Sequence, residues 1–231
     1  DDRRSSFENE EDDNDDEDDE VASLSCDGWL DGLSQSDPMI VLGILHNLYP
    51  LPLFQRYVDR MIRKMGGGMN NGVCLHHRDG KDWHNHCKHW ENIPDGVWRK
   101  NCLAPKGVPL GKLVKDRLVH SNDNNTTKTT LFYVGDHDPP TEELSPYGFH
   151  IVSRKTLLGS KGEKELLREL LGEEMIDDND ENRRAKYRDL WAVLDFMTCS
   201  QMGSFVGNSV STWTTLQLAL RNGKGTWYNS R

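Results

Sequence analysis

The sequence predicts an α/β fold, a Rossmann-like parallel sheet with flanking helices. Two observations support this prediction. Helical and strand-like segments alternate through most of residues 54–221. The connections between the strands are also too long for hairpins, and this pattern is typical of parallel strands joined by crossover helices. Four strands are recognisable, so we expect one Rossmann-like domain whose ligand site lies at the carboxyl ends of its strands.

The individual elements follow from the spacing of the apolar residues. An amphipathic helix is predicted for residues 54–65, and the three glycines at 66–68 end it. Short bounded runs of apolar residues predict the strands VCLHH (73–77), TLFYVG (130–135), FHIVS (149–153) and SFVGN (204–208). Further helices are predicted at 110–119, 164–170, 187–202 and 211–221. Ser211 stands at the N-cap position of the last helix.

The formal net charge of −10 is concentrated at one end of the chain. Residues 1–20 contain thirteen acids and two arginines, so they carry −11 and the remainder carries +1. An acidic block of this kind repels itself, and we expect a disordered tail. The remainder is not basic enough to bind the phosphate backbone of nucleic acid. No run of eighteen apolar residues occurs, so a membrane could be reached only through a segment outside this chain.

The cysteines indicate disulfides rather than a zinc ribbon. None of the five forms a CxxC pair; they are Cys26, Cys74, Cys87, Cys102 and Cys199. In an oxidising compartment they could form one or two disulfides. Overlapping glycosylation sequons begin at residues 124 and 125, and they also favour the secretory route.

Two of the predicted strand ends carry groups that suit a diphosphate. After SFVGN, the backbone beyond Asn208 can approach a ligand closely, and the next helix offers its free N–H groups together with the hydroxyls of Ser209, Ser211 and Thr212. An ordinary capped helix is the simpler alternative. After VCLHH, the guanidinium of Arg78 could pair with a diphosphate and stabilise a leaving nucleoside diphosphate. Neither GxGxxG nor a Walker lysine occurs, so a dehydrogenase and a P-loop NTPase are not indicated.

Other polar residues allow further interpretations. A zinc site is one alternative, and its candidate ligands are His84, His86, Cys87 and His89. No second Cys/His cluster and no HExxH motif accompany them, which disfavours zinc. Asp136 and Asp138 form a DxD pattern, but Asp136 follows a strand and is better placed to contact a ligand directly. Asp195 lies within an apolar helix, so it needs a hydrogen-bonding partner or a polar ligand and is a further site candidate.

The order of these motifs is similar to that of a known family. An H-x-R strand end (His76 to Arg78) is followed by DW, then by a YVGD strand end, and finally by a helix aspartate and FVGNSVSTW. This order resembles the C-terminal, donor-binding half of the GDP-fucose protein O-fucosyltransferase family, over roughly residues 50–221. The resemblance implies that His76 contacts the nucleotide and that Arg78 contacts the phosphates and the leaving group.

The same resemblance implies the remaining roles in the site. Asp195 matches an aspartate near the base of the donor, and Asp136 matches the acid after the third strand motif. Ser211, Thr212 and Trp213 match a segment whose amides and hydroxyls hold the β-phosphate. The family has a two-Rossmann (GT-B) architecture and inverts the anomeric carbon, generally without a metal. Bridged cysteines are frequent at the positions of Cys87 and Cys102.

For this chain we therefore expect GDP-fucose as donor substrate, no metal cofactor and a protein hydroxyl as acceptor. The expected location is the lumen of the endoplasmic reticulum or Golgi. Because the chain begins with Asp, we expect a fragment or processed product. The predicted organisation is an acidic tail (1–20), a linker or remnant of the acceptor half (21–50), the nucleotide-sugar-binding domain (51–223) and a C-terminal tail (224–231).

The sequence also departs from the family pattern. His77 replaces the usual aliphatic residue of H-x-R, and Trp213 replaces a phenylalanine. Gly203 and Ser204 stand where an acid is common. The half that binds the acceptor is missing or reduced to residues 21–50. These departures favour the alternative function, a non-catalytic module that binds a GDP-sugar.

Overall fold

The computed structural model describes residues 51–66, 72–90, 102–118, 129–172, 179–221 and 223–229. The predicted acidic tail and the segment 21–50 lie outside the described residues, as do Cys26 and the two sequons. Within the described part of the chain, no helix is both long enough and apolar enough to cross a membrane.

The described residues form an α/β domain. Its strands are β1 (Val73–His77), β2 (Thr129–Gly135), β3 (Phe149–Val152), β4 (Ser204–Gly207) and β5 (Thr226–Trp227). Its α-helices are α1 (Pro52–Lys64), α2 (Lys81–Trp90), α3 (Leu110–Leu118), α4 (Thr141–Leu144), α5 (Arg154–Leu171), α6 (Asp180–Lys186), α7 (Arg188–Ser200) and α8 (Thr212–Leu220). A 3-10 turn, Ser145–Tyr147, connects α4 to β3.

All five strands are parallel, in the order β3-β2-β1-β4-β5. This arrangement confirms the predicted α/β class and the Rossmann-like parallel sheet. The fifth strand differs from the prediction, since its residues were placed in a C-terminal tail. Instead Thr226 pairs with Val206 of β4, and the side chains of Tyr228 and Asn229 are buried.

The core lies on both faces of the sheet. On one face, α1, α5 and α7 pack against Cys74, Phe132 and Phe205. On the other face, α3 and α4 cover the remaining inward side chains of the strands, among them Leu75 and Leu131. A disulfide between Cys74 and Cys199 links β1 to α7 through the first of these layers. Strands covered on both faces read as short apolar runs, which explains why they could be recognised in the sequence.

Helix α5 begins ten residues before the predicted segment 164–170. Ser153 starts it with a capping box, in which its hydroxyl accepts a hydrogen bond from the Thr156 amide and its own amide donates to Thr156 Oγ1. Gly159 then bends the helix with a φ of 67°, a conformation that favours glycine. Because the bend interrupts the helical period, the pattern of apolar residues revealed only the second part.

Candidate functional site

The strand order places the candidate site between β1 and β4. From β1 the chain proceeds to β2 and β3 on one side, whereas β4 proceeds to β5 on the other. Such a point of reversal leaves a crevice at the carboxyl ends of the two strands, and ligands of open α/β sheets bind there. In this chain Arg78 follows β1 and Asn208 follows β4, so the two predicted diphosphate-binding segments flank the crevice.

Arg78 is held by two carboxylates and an aromatic ring. Its Nη1 donates to Asp136 Oδ1, and its Nη2 donates to Asp82 Oδ2 at 3.1 Å. The guanidinium lies over the ring of Trp83, 5.1 Å from the ring centroid. The side chain remains 26% exposed. Because a guanidinium has five N–H donors and these two ion pairs use only part of them, the group can also donate to a ligand.

Asp136 is bound to the loop that follows Arg78. The amide of Gly80 donates to Asp136 Oδ2 at 3.2 Å. A Cβ atom on Gly80 would lie 2.5 Å from Asp82 Oδ1 and 3.2 Å from Asp136 Oδ2, so a larger residue would displace the two carboxylates that hold Arg78. The sequence predicted that Asp136 would contact a ligand directly. The structure places it as the partner of Arg78.

His76 is a buried, uncharged hydrogen-bonding residue. Its Nδ1 lies 3.0 Å from Thr214 Oγ1, and its ring stacks on Trp213 at 4.3 Å between centroids. Burial, followed by the nearby charge of Arg78, lowers the pKa of His76 from 6.5 to about 3. The imidazole is therefore neutral at physiological pH, and Arg78 carries the positive charge of the H-x-R segment.

Close packing of α8 on β4 brings the start of that helix to the crevice. A Cβ atom on Gly207 would lie 2.5 Å from Thr214 Oγ1, so only glycine allows the contact. Ser211 occupies the predicted N-cap position, but its side chain makes no capping hydrogen bond. Its hydroxyl thus does not satisfy the free N–H groups of the first turn. Ser211 is buried and Thr212 is exposed at the surface.

The side-chain amide of Asn208 forms hydrogen bonds with other groups of the protein. Its Nδ2 donates to the carbonyl of Cys102 at 3.1 Å and to Tyr228 Oη at 3.2 Å, and its Oδ1 accepts from the Val210 amide at 3.1 Å. These bonds fix the loop between β4 and α8. In the same loop the Ser209 amide donates to Asn229 Oδ1 at 2.8 Å. Asn208 and the Ser209 amide therefore hold the loop that leads from β4 to the start of α8.

A disulfide between Cys87 and Cys102 supports this loop. The Cys102 carbonyl accepts from Trp83 Nε1 at 3.2 Å as well as from Asn208. Trp83 packs against Arg78 on the β1 side of the crevice, and Asn208 lies on the β4 side. Through the Cys102 carbonyl, the disulfide therefore holds a residue on each side. The sulfur of Cys87 is consequently not available to zinc, and in the described ranges no three His, Cys, Asp or Glu side chains are grouped to hold a metal.

The remaining histidines of α2 have other contacts. His84 Nε2 lies 2.6 Å from Asp79 Oδ1, and His86 stacks on Trp83 at 5.2 Å between centroids. His89 is exposed. Together with the Cys87 disulfide, these positions do not assemble the zinc ligands that the sequence allowed.

Asp195 lies in an ion-pair network rather than beside Arg78. Its Oδ1 is 3.2 Å from Arg154 Nε, and Arg154 also pairs with the fully buried Glu163. Burial raises the pKa of Asp195 to about 6, and the nearby Arg154 opposes the shift. The link to the crevice is indirect: the neighbouring Phe196 meets Trp213 edge-on, with 5.2 Å between ring centroids.

Sequence reasoning missed Tyr228. This residue follows the fifth strand, is only 1% exposed, and its Oη contacts both Arg78 and Asn208. Its segment consists of two strand residues and two buried residues, which is too short to produce a periodic pattern. No signal in the sequence distinguishes it from a polar C-terminal tail.

Comparison with known proteins gives similarity at the level of overall structure. No protein-family model matches the sequence, and no curated protein matches it significantly. A crystal structure of POFUT1 in complex with GDP-fucose aligns with a TM-score of 0.46 and 16% identity over 76% of this chain. The POFUT1 complex with GDP and the apo form align with TM-scores of 0.45 and 0.44 and identities of 15% and 16%, over 75% and 74% of this chain.

This chain spans less than half the length of those structures, which it covers to 46%, 47% and 45%. The α/β class rests on the parallel sheet of this chain itself, and the candidate site rests on the contacts around Arg78, His76 and the start of α8.

Proposed function

We propose that this chain is the donor-binding domain of a glycosyltransferase that transfers fucose from GDP-fucose to a protein hydroxyl. The observation that supports this proposal is the placement of Arg78 directly after β1 and of α8 after β4, on the two adjacent strands that flank the crevice. A guanidinium and free helix N–H groups are both donors that favour a diphosphate. The order of motifs in the sequence, which resembles the O-fucosyltransferase family, supplies the choice of GDP and fucose.

In the proposed reaction, the bond between the anomeric carbon of the sugar and the β-phosphate oxygen breaks, and GDP leaves with the electron pair. Arg78 and the first turn of α8, with the hydroxyls of Ser211 and Thr212, stabilise the negative charge of the departing diphosphate. The oxygen of the acceptor hydroxyl attacks the opposite face of the anomeric carbon, so the configuration inverts. Its proton passes to a base outside the residues that we assign. Arg78 supplies the positive charge, and we assign no metal to this step.

The other residues act before the chemical step. We assign His76 to the nucleotide as a neutral donor or acceptor, because its low pKa keeps it uncharged. Trp213 holds the ring of His76 by stacking. Asp195 is assigned to the base of the donor, which would require the base to approach the ion pair with Arg154. Asp136 is assigned to orient Arg78.

One observation favours a second candidate, a non-catalytic module that binds a GDP-sugar. Arg78 already pairs with Asp136 and Asp82. Two carboxylates beside the guanidinium reduce the positive potential that a leaving diphosphate requires. A chain of this kind would bind GDP and GDP-fucose but would not release GDP from the sugar.

The proposed location is the secretory pathway, and the proposed partner is a protein acceptor. Both disulfides, Cys74–Cys199 and Cys87–Cys102, would persist in an oxidising compartment. The acceptor would bind through a second half of the enzyme.

The test is calorimetric titration of the full chain with GDP, with and without a chelator. Arg78→Ala should weaken GDP binding about 10- to 100-fold, because a hydrogen bond from a charged group contributes about 1.5–3 kcal/mol. Arg56→Ala is the matched control, since Arg56 pairs with Glu169 on the exposed side of α1. Wild-type protein that does not bind GDP would refute the proposed donor site.

A second measurement separates the two candidates. Purified chain is incubated with GDP-fucose and a mixture of protein acceptors, and the release of GDP is followed. Binding together with GDP release that Arg78→Ala abolishes supports the transferase. Binding without release, in wild-type protein, supports the non-catalytic module.

A further inference from the structure

We propose that Tyr228 is a positioning residue for Arg78, which it ties to the opposite wall of the crevice. This inference rests on the proposed function, because it concerns how Arg78 meets a diphosphate. Tyr228 follows β5 at the far edge of the sheet, yet its hydroxyl reaches the carboxyl ends of both β1 and β4.

The hydroxyl of Tyr228 joins the two walls. The backbone amide of Arg78 donates to Tyr228 Oη at 3.2 Å, and Asn208 Nδ2 donates to the same oxygen at 3.2 Å. The Arg78 carbonyl lies 3.5 Å from this hydroxyl. The two donors use both lone pairs of the oxygen, and the remaining O–H points toward the Arg78 carbonyl. One side chain thus contacts both backbone polar groups of Arg78.

The ring of Tyr228 is itself held firmly. It packs in the core with Leu75 and Val206. Its ring meets His77 edge-on, with 5.5 Å between centroids. Burial raises the pKa of Tyr228 to about 12, so the hydroxyl stays protonated and acts through hydrogen bonds rather than as a base. A rigid, protonated anchor is suited to fixing a backbone.

This anchor matters because the other contacts of Arg78 compete with a ligand. Asp136 and Asp82 hold the guanidinium, and a diphosphate that binds its remaining N–H groups would attract the guanidinium away from these carboxylates. The bonds from Tyr228 involve the backbone of Arg78, so ligand binding leaves them intact. Tyr228 can therefore keep the backbone of Arg78 in place at the edge of the crevice when the carboxylates release the guanidinium.

The experiment compares Tyr228→Phe with Tyr133→Phe by titration with GDP and with GMP. Tyr133 is the matched control, since it is also buried and its hydroxyl lies 3.0 Å from His77 Nδ1 instead of Arg78. Tyr228→Phe should weaken GDP binding about 3- to 10-fold, the equivalent of one hydrogen bond. It should weaken GMP binding less, because GMP lacks the β-phosphate. Tyr133→Phe should leave the ratio of GDP to GMP affinity at the wild-type value.

A double-mutant cycle tests whether Tyr228 acts through Arg78. In the Arg78→Ala background, Tyr228→Phe should cause no further loss of GDP affinity. An additive loss would overturn the inference. If Tyr228→Phe does not fold, the cycle is run with Arg78→Ala and Asn208→Ala, whose effects on GDP binding should be non-additive because Asn208 holds Tyr228 Oη against the Arg78 backbone and so acts on the ligand through the Arg78 side chain.

The outcomes separate this inference from the proposed function. Wild-type protein that fails to bind GDP refutes the proposed function and the inference with it. Wild-type binding that Tyr228→Phe leaves unchanged overturns only the role of Tyr228. Equal losses for GDP and GMP also overturn it, because they would mean a general structural role. A selective loss for GDP, absent in Tyr133→Phe, supports it.

Discussion

Acidification should destabilise this chain through His76. The histidine is 5% exposed, and burial lowers its pKa in the folded chain to about 3, against 6.5 for an ordinary histidine. Between these two values the unfolded chain binds a proton and the folded chain does not. Stability due to His76 is therefore complete above about pH 6.5 and is lost as the pH falls toward 3.

The magnitude at pH 5.0 follows from the difference between that pH and the unfolded pKa. The pH of 5.0 lies about 1.5 pH units below the unfolded pKa of 6.5, and each pH unit corresponds to about 1.36 kcal/mol. Because of His76, the free energy of unfolding should therefore decrease by about 2 kcal/mol when the pH is lowered from 7.5 to 5.0. Burial also lowers the pKa of His77, which adds to this loss, whereas the raised pKa of Asp195 opposes it. Only a comparison with a variant isolates His76.

The assay is urea unfolding of wild-type protein, His76→Gln and Thr214→Val at both pH values. His76→Gln should lose about 2 kcal/mol less than wild-type protein on acidification. Thr214→Val removes the hydrogen-bond partner of His76 but keeps the imidazole, so it should retain the wild-type pH dependence. The reasoning would be refuted if wild-type protein and His76→Gln lost equal amounts of stability.

Two other perturbations probe the same site. Gly207→Ala should destabilise the chain by about 1–3 kcal/mol, since the new Cβ would lie only 2.5 Å and 2.6 Å from Oγ1 and Cγ2 of the buried Thr214; thermal unfolding would measure it, and unchanged stability would contradict the packing. Replacing Cys87 and Cys102 by serine should cost about 3 kcal/mol, the loop-closure value for their separation of 15 residues. The same variant should bind GDP more weakly, because the Cys102 carbonyl holds Trp83 and Asn208. A calorimetric titration that found wild-type affinity would argue against that support.

Much of the fold could be predicted because its elements are locally marked. Strand β1 was predicted with its observed bounds, Val73–His77, since it is an apolar run between turn residues. Helix α1 was predicted within two residues at either end, since its apolar face recurs at helical spacing and glycines follow. The start of α5 was missed because the bend at Gly159 interrupts its period.

The site could be predicted only in part. The residue types at the strand ends indicated Arg78 and the start of α8, and the structure places both at the crevice. The contacts of Asp136 and Asp195 could not be foreseen, since their partners Arg78 and Arg154 lie far away in the sequence. An ion pair between residues so far apart in the sequence produces no periodic pattern from which it could be predicted.

The sequence by itself determined which elements form, in which order, and which polar residues stand at each strand end. Only the tertiary structure decided that β1 lies between β2 and β4, and that β5 completes the sheet. Strands pair through backbone hydrogen bonds, which are the same for every residue type, so side chains reveal a strand but not its neighbour. That pairing brings Tyr228 to Arg78 and Asn208 and so assembles the candidate site.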